Sequence, residues 1–186
     1  AGLYVGQRSA DFSVSGDDKK TTTATDYTLS LLLDPIPLVP VGFGVSINSN
    51  DYDVNLEDHG IKEMPGLLFI PEVKAWLPMV PVVTPYGRVG YVLGGYKPKL
   101  SFDIDSTNSV DVDGIYTTTG FALGVGVEYS PLPLLALAFE VNMTQQKVSP
   151  TDFEYTNPVT NEKEKPDFDD QDFNTTAFLL GLTIGI

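Results

Sequence analysis

The sequence has no cysteine, one histidine (His59), one tryptophan (Trp76) and few bases. Each shortage excludes something. Without cysteine there is no disulfide framework, no thiolate nucleophile and no Cys-ligated zinc. The absence also fits a compartment where stray thiols oxidise. No apolar run reaches the roughly 18 residues a membrane-spanning helix needs. A Ser/His/acid hydrolase set would have to use His59, because it is the only histidine. Gly60 and Ile61 follow it, with no serine at the next-but-one position, so it reads as a plain loop histidine. Lys and Arg total 11 against 25 Asp and Glu, a formal net charge of −14. That balance excludes a surface built to hold nucleic acid.

What the chain does have is alternation. Near its end every second residue is apolar: Phe178, Leu180, Leu182, Ile184 and Ile186. Period-2 patterning marks a strand with one apolar face. The pattern recurs to predict eight strands: Leu3–Val14, Thr21–Leu33, Val39–Ile47, Leu67–Leu77, Tyr86–Tyr96, Ile115–Tyr129, Leu135–Met143 and Asn174–Ile186. Phe12 and Val14 break the parity of the first, which predicts a bulge there. Pro71 interrupts the fourth. Each strand reaches about the 9–11 residues a tilted strand needs to cross a bilayer.

The connections are of two kinds. Pro-rich turns occupy Asp34–Pro37, Pro78–Pro85 and Ser130–Pro133, where prolines cannot donate to a ladder. Ser15–Lys20, Asn48–Gly66, Lys97–Asp113 and Gln145–Asp172 read as four long loops. These hold 19 of the 25 acids and 8 of the 11 bases. A charged tip region therefore sits apart from a charge-poor body. An even strand count puts both termini beside the short turns. Ala1, directly before a strand, reads as a mature N-terminus left after signal-peptide removal.

Parity sorts the body's residues onto two faces. One carries Val, Leu and Phe, with Tyr27, Phe43, Phe69, Tyr91, Phe121, Tyr129, Phe139 and Phe178 as the aromatics. The other carries glycines and seven charges: Arg8, Asp26, Glu72, Lys74, Arg88, Glu128 and Glu140. A soluble lipocalin-like barrel would turn the apolar stripes inward. Here the charges take the inward parity, so the apolar stripes meet lipid. An open sheet in lipid would leave backbone donors unpaired, so the sheet must close.

Four acids and three bases in a narrow lumen must pair. The lumen reads as a salt-bridge network that fills it, since eight strands leave room only for side chains. Glu128, Glu140, Arg88 and Lys74 are expected at its centre. Gly120, Ala122, Gly124, Gly126, Ala136 and Ala138 make room for them. Trp76 has inward parity near the turn end. In the loops, Asp103, Asp105, Asp167, Asp169 and Asp170 are weak candidates for a divalent cation. They lack the spacing of a dedicated calcium loop and read first as solvated surface. Asn142-Met143-Thr144 and Asn174-Thr175-Thr176 match a glycosylation pattern by chance.

This architecture resembles the small eight-stranded outer-membrane β-barrels typified by the OmpA transmembrane domain and OmpX. The resemblance covers the whole chain as one domain, residues 1–186, and rests on strand pattern and turn asymmetry. It implies an all-β up-and-down transmembrane barrel with short periplasmic turns and long extracellular loops. It implies a monomeric, non-enzymatic protein of the bacterial outer membrane with no cofactor. Its partners would be the bilayer, lipopolysaccharide and a surface ligand reached by the loops. The alternatives are passage of small or hydrophobic molecules, as in OmpW-like barrels, for which Pro71 would be a wall feature, and a lipid-A-modifying enzyme using His59.

Overall fold

The computed structural model describes residues 1–12, 20–33, 40–56, 61–77, 82–105, 108–132, 134–152, 155–156, 163–164 and 170–184. Eight strands form the wall: β1 (Gly2–Phe12), β2 (Lys20–Leu33), β3 (Val41–Leu56), β4 (Ile61–Trp76), β5 (Val83–Tyr96), β8 (Ile115–Leu132), β9 (Leu135–Asp152) and β12 (Gln171–Ile184). Between them lie a hairpin, β6 (Lys99–Asp105) with β7 (Asn108–Asp113), and a short pair, β10 (Tyr155–Thr156) with β11 (Lys163–Glu164). All wall pairings are antiparallel between chain neighbours, and β1 pairs β12 to close the ring. No wall strand has a free edge, which satisfies the backbone without water.

Following Cα partners from Ala10 leads through Thr175, Thr144, Ala122, Gly90, Glu72 and Gly44 to Leu32. Leu32 lies two residues past Ser30, whose β1 partner is Gly2. The circuit thus closes ten residues below Ala10. That stagger tilts the strands by about 40° and leaves a lumen only wide enough for side chains.

The outer face is apolar as the alternation predicts. Leu3, Leu31, Phe43, Leu67, Phe121, Leu123, Phe139, Phe178 and Leu180 are all exposed. Each of the eight aromatics expected outward is exposed, and Tyr91 meets Phe121 edge to face with ring centroids 5.4 Å apart. Such rings suit the aromatic girdles of membrane barrels. Further toward the loop end the outward positions become Thr25, Ser49, Thr119, Gln145 and Thr176.

Three expectations need correction. The ladders do not stop where the sequence turns polar: β3 runs to Leu56, β4 starts at Ile61, and β9 runs to Asp152. Much of the presumed loop is wall that stands above the lipid, where the outer face is wet and no longer apolar. The stretch Lys97–Asp113 contains the β6–β7 hairpin rather than a plain loop. The first strand has no bulge either, because β1 keeps unbroken register with both neighbours through Phe12. Val14 lies outside the described residues. Pro71 stays inside β4, paired with Val45, and the β4–β5 register is the same on both sides of it.

Inward glycines are where bulky interior side chains lie down. A Cβ on Gly126 would sit 2.6 Å from the Tyr86 ring, and one on Gly181 2.3 Å from Tyr4. Gly66 stands against Tyr96, and Gly124 against Arg88. Gly126→Leu is therefore expected to displace Tyr86 and cost about 1–3 kcal/mol. A urea unfolding midpoint in lipid vesicles, compared with wild type, checks it.

Candidate functional site

The site is the barrel interior. All seven inward charges are there, six of them buried and Glu128 13% exposed at the turn end. They form three separate groups rather than one.

Nearest the turns, Lys74 Nζ lies 2.6 Å from Glu128 Oε1, and Trp76 Nε1 donates to the other oxygen at 2.8 Å. Lys74 also sits over the Tyr86 ring, 3.6 Å from its centroid, a desolvated cation–π contact. Above them is a carboxylate–guanidinium–carboxylate cluster. Arg88 Nη1 donates to Glu72 at 2.7 Å, and Arg88 Nη2 lies 2.5 Å from Glu140. Tyr86 donates to Glu140 at 2.8 Å, and Ser30 and Ser46 donate to Glu72 at 2.8 and 2.7 Å. Higher still, Arg8 pairs with Asp26, which also accepts from Asn48 and from Thr28. Arg8 reaches across to Thr175 at 2.7 Å. Thr175 meets Thr144, which accepts from Gln146.

The expected centre of Glu128, Glu140, Arg88 and Lys74 divides between the first two groups. Glu72, not named among those central four, is Arg88's hydrogen-bonded carboxylate. The partners that sequence reasoning missed are neutral: the donors Tyr86, Ser30, Ser46 and Asn48, and Thr175, which accepts from Arg8. Strand parity marks them as inward; only the register says which charge each one meets.

A fourth layer was also missed. Tyr52, Tyr96 and Phe173 bring their rings together with centroids 5.4–6.2 Å apart. All three are buried, among Leu68, Ile70 and Val92. Tyr96 donates to Gln146 at 2.9 Å. This apolar layer crosses the lumen at the loop end.

The outer membrane protein beta-barrel domain model matches residues 1–184. The chain belongs to that family. It is an all-β barrel of the bacterial outer membrane, embedded in the bilayer. Among solved structures it is similar to Neisserial surface protein A, at 10% identity and TM-score 0.53, covering all of this chain and 96% of that one. It is also similar to the outer membrane enzyme PagL, at 9% identity and TM-score 0.55, covering both chains completely. The attachment invasion locus protein Ail of Yersinia pestis shares 12% identity at TM-score 0.50, with 98% and 95% covered. At such identities these likenesses establish the fold. No curated protein matches the sequence.

Of the remaining sequence candidates, only Asp170 has a described side chain. Asp103 and Asp105 lie on β6, and their side chains are not among those described; Asp167, Asp169 and His59 lie outside the described residues. Asp170 is exposed and bonded to Lys147 at 2.7 Å. That hydrogen bond holds the Asp170 carboxyl below its ordinary range and raises the Lys147 ammonium. Among the described residues, no cluster of three or more His, Asp or Glu is arranged to hold a metal ion.

Proposed function

We propose that this outer-membrane barrel is a monomeric, non-enzymatic surface protein whose lumen is closed to solutes and whose acidic loops make its contacts. The filled interior carries the reading. Three charge groups and the Tyr52–Tyr96–Phe173 layer succeed one another along the axis, and the side chains that form them are almost all buried. Opening a water path would require several buried ion pairs to separate at once, each at a cost of several kcal/mol. The charge of the four long loop segments, 19 acids against 8 bases, favours cationic partners, or lipopolysaccharide phosphates bridged by divalent ions.

Single-channel recording in a planar bilayer tests the reading. Wild type is expected to give no steady openings. Lys74→Ala and Glu128→Ala are expected to leave the barrel silent as well, because the two layers above remain. Reproducible wild-type openings would favour passage of small solutes instead. A lipid-A-modifying role has a separate test in His59→Ala. A loss of lipid A modification in that variant would overturn the non-enzymatic reading.

A further inference from the structure

The lipid-facing wall is not smooth. Strands β8, β9, β12 and β1 carry a groove of about 740 Å³ on their outer face. That volume is within the roughly 300–1,000 Å³ of small-molecule sites. Two register rows line it. One runs through Val127, Phe139, Leu180 and Val5, the other through Val125, Val141, Phe178 and Gln7. Phe139 and Phe178 are 57% and 66% exposed. Val141, opposite Phe178 and two residues from Phe139, is half-buried. The rings form the banks and the valine the floor. Glu140 borders the groove only through its backbone, because its carboxylate turns inward to Arg88.

Gln7 is the polar exception in that lining. It is exposed on the outer face, and among the described residues no side chain bonds to its amide. An amide left unpaired against hydrocarbon is costly. The stagger of the ring sets its depth. Register rows climb toward the loop end by roughly 3 Å per strand from β8 to β1. The groove therefore runs diagonally, with Gln7 at its upper end. Thr25 is the β2 partner of Gln7, and Ser9 follows two residues along β1, so the outer face turns polar here. At this edge an amide meets the linkages that join acyl chains to their headgroups. Below it the groove meets only hydrocarbon.

We propose that this groove seats one amide-linked acyl chain of lipopolysaccharide, with Gln7 bonded to the linking amide. The groove is continuous with the wall's interface with lipid, so its occupant is hydrocarbon. Its polar end faces the loops and so belongs to the outer leaflet. Gln7 offers both a donor and an acceptor. An amide linkage answers both, whereas the ester linkage of a phospholipid offers only an acceptor. That difference selects lipopolysaccharide. This inference stands apart from the proposed surface role, since a conducting barrel would present the same outer wall.

Native mass spectrometry of the whole barrel in detergent, with purified lipid A added, tests it. One lipid A is expected to stay bound per barrel. Gln7→Leu is expected to weaken retention about tenfold, the loss of a hydrogen bond. Val141→Trp fills the floor and is expected to abolish it. Leu29→Trp, on the belt outside the groove, is expected to leave it unchanged. All three replace lipid-facing side chains, so the interior stays intact. Lipid A stripped of its ester-linked chains is expected to bind as the intact lipid does. No retained lipid A, or retention unchanged in either Gln7→Leu or Val141→Trp, would overturn the proposal. So would loss of binding once the ester-linked chains are removed, or equal retention of dipalmitoylphosphatidylethanolamine.

Discussion

Replacing Arg88 with methionine is expected to destabilise the barrel by about 3–5 kcal/mol, the cost of breaking a buried ion pair from one side. The guanidinium is the shared counter-charge of Glu72 and Glu140, and both carboxylates are buried. Their other partners are neutral donors: Ser30 and Ser46 for Glu72, and Tyr86 for Glu140. Hydroxyls satisfy lone pairs but do not cancel charge, so the variant buries two like charges near each other. The triple variant Arg88→Met with Glu72→Gln and Glu140→Gln removes all three charges, and is expected to recover most of the loss. The same comparison separates charge from packing, since methionine retains most of the stem that covers Gly124. Urea titration in vesicles measures both. Equal stability of the single and triple variants would mean that the cluster's charge is not what matters.

Leu180→Arg is expected to cost about 2–4 kcal/mol, the range for a base at the bilayer midplane on a barrel's lipid face. Leu180 is 48% exposed and lies between Val5 and Phe139 on the neighbouring strands, both part of the apolar belt. The residue before it, Leu179, points inward and is buried against Tyr4 and Ala177. Thr176→Arg, four residues toward the loop end on the same face, is expected to cost only about 0–1 kcal/mol, because it stands where the outer face has turned polar. A soluble barrel would show no such gradient with position.

The lipid belt was legible in the sequence because its solvent is uniform. Hydrocarbon asks for nothing but apolar side chains, so Val39 to Ile47 alternates cleanly and Phe178 to Ile184 does so apart from the inward Leu179. The seven inward charges were legible for the same reason, by parity against that stripe. Their pairings were not. Arg88 meets Glu72 across 16 residues and Glu140 across 52, and the register of the closed ring decides both. Tyr52 and Phe173 were lost for a different reason. They lie in wall segments that leave the bilayer, where the outward neighbours Asp51, Asp172 and Asn174 are polar. With both solvents wet, alternation no longer separates wall from loop, and acid-rich strand reads as loop.

One face of each strand meets lipid and the other a closed interior. The protein has no cysteine, so a single introduced cysteine carries the only label. The decisive measurement is a cysteine scan from Ala177 to Ile184 on β12, with an environment-sensitive fluorophore and bromine-quenched lipid tails. Strong quenching is expected at positions 178, 180, 182 and 184, and weak quenching or poor labelling at 177, 179, 181 and 183. Uniform quenching, or quenching of the opposite parity, would contradict it.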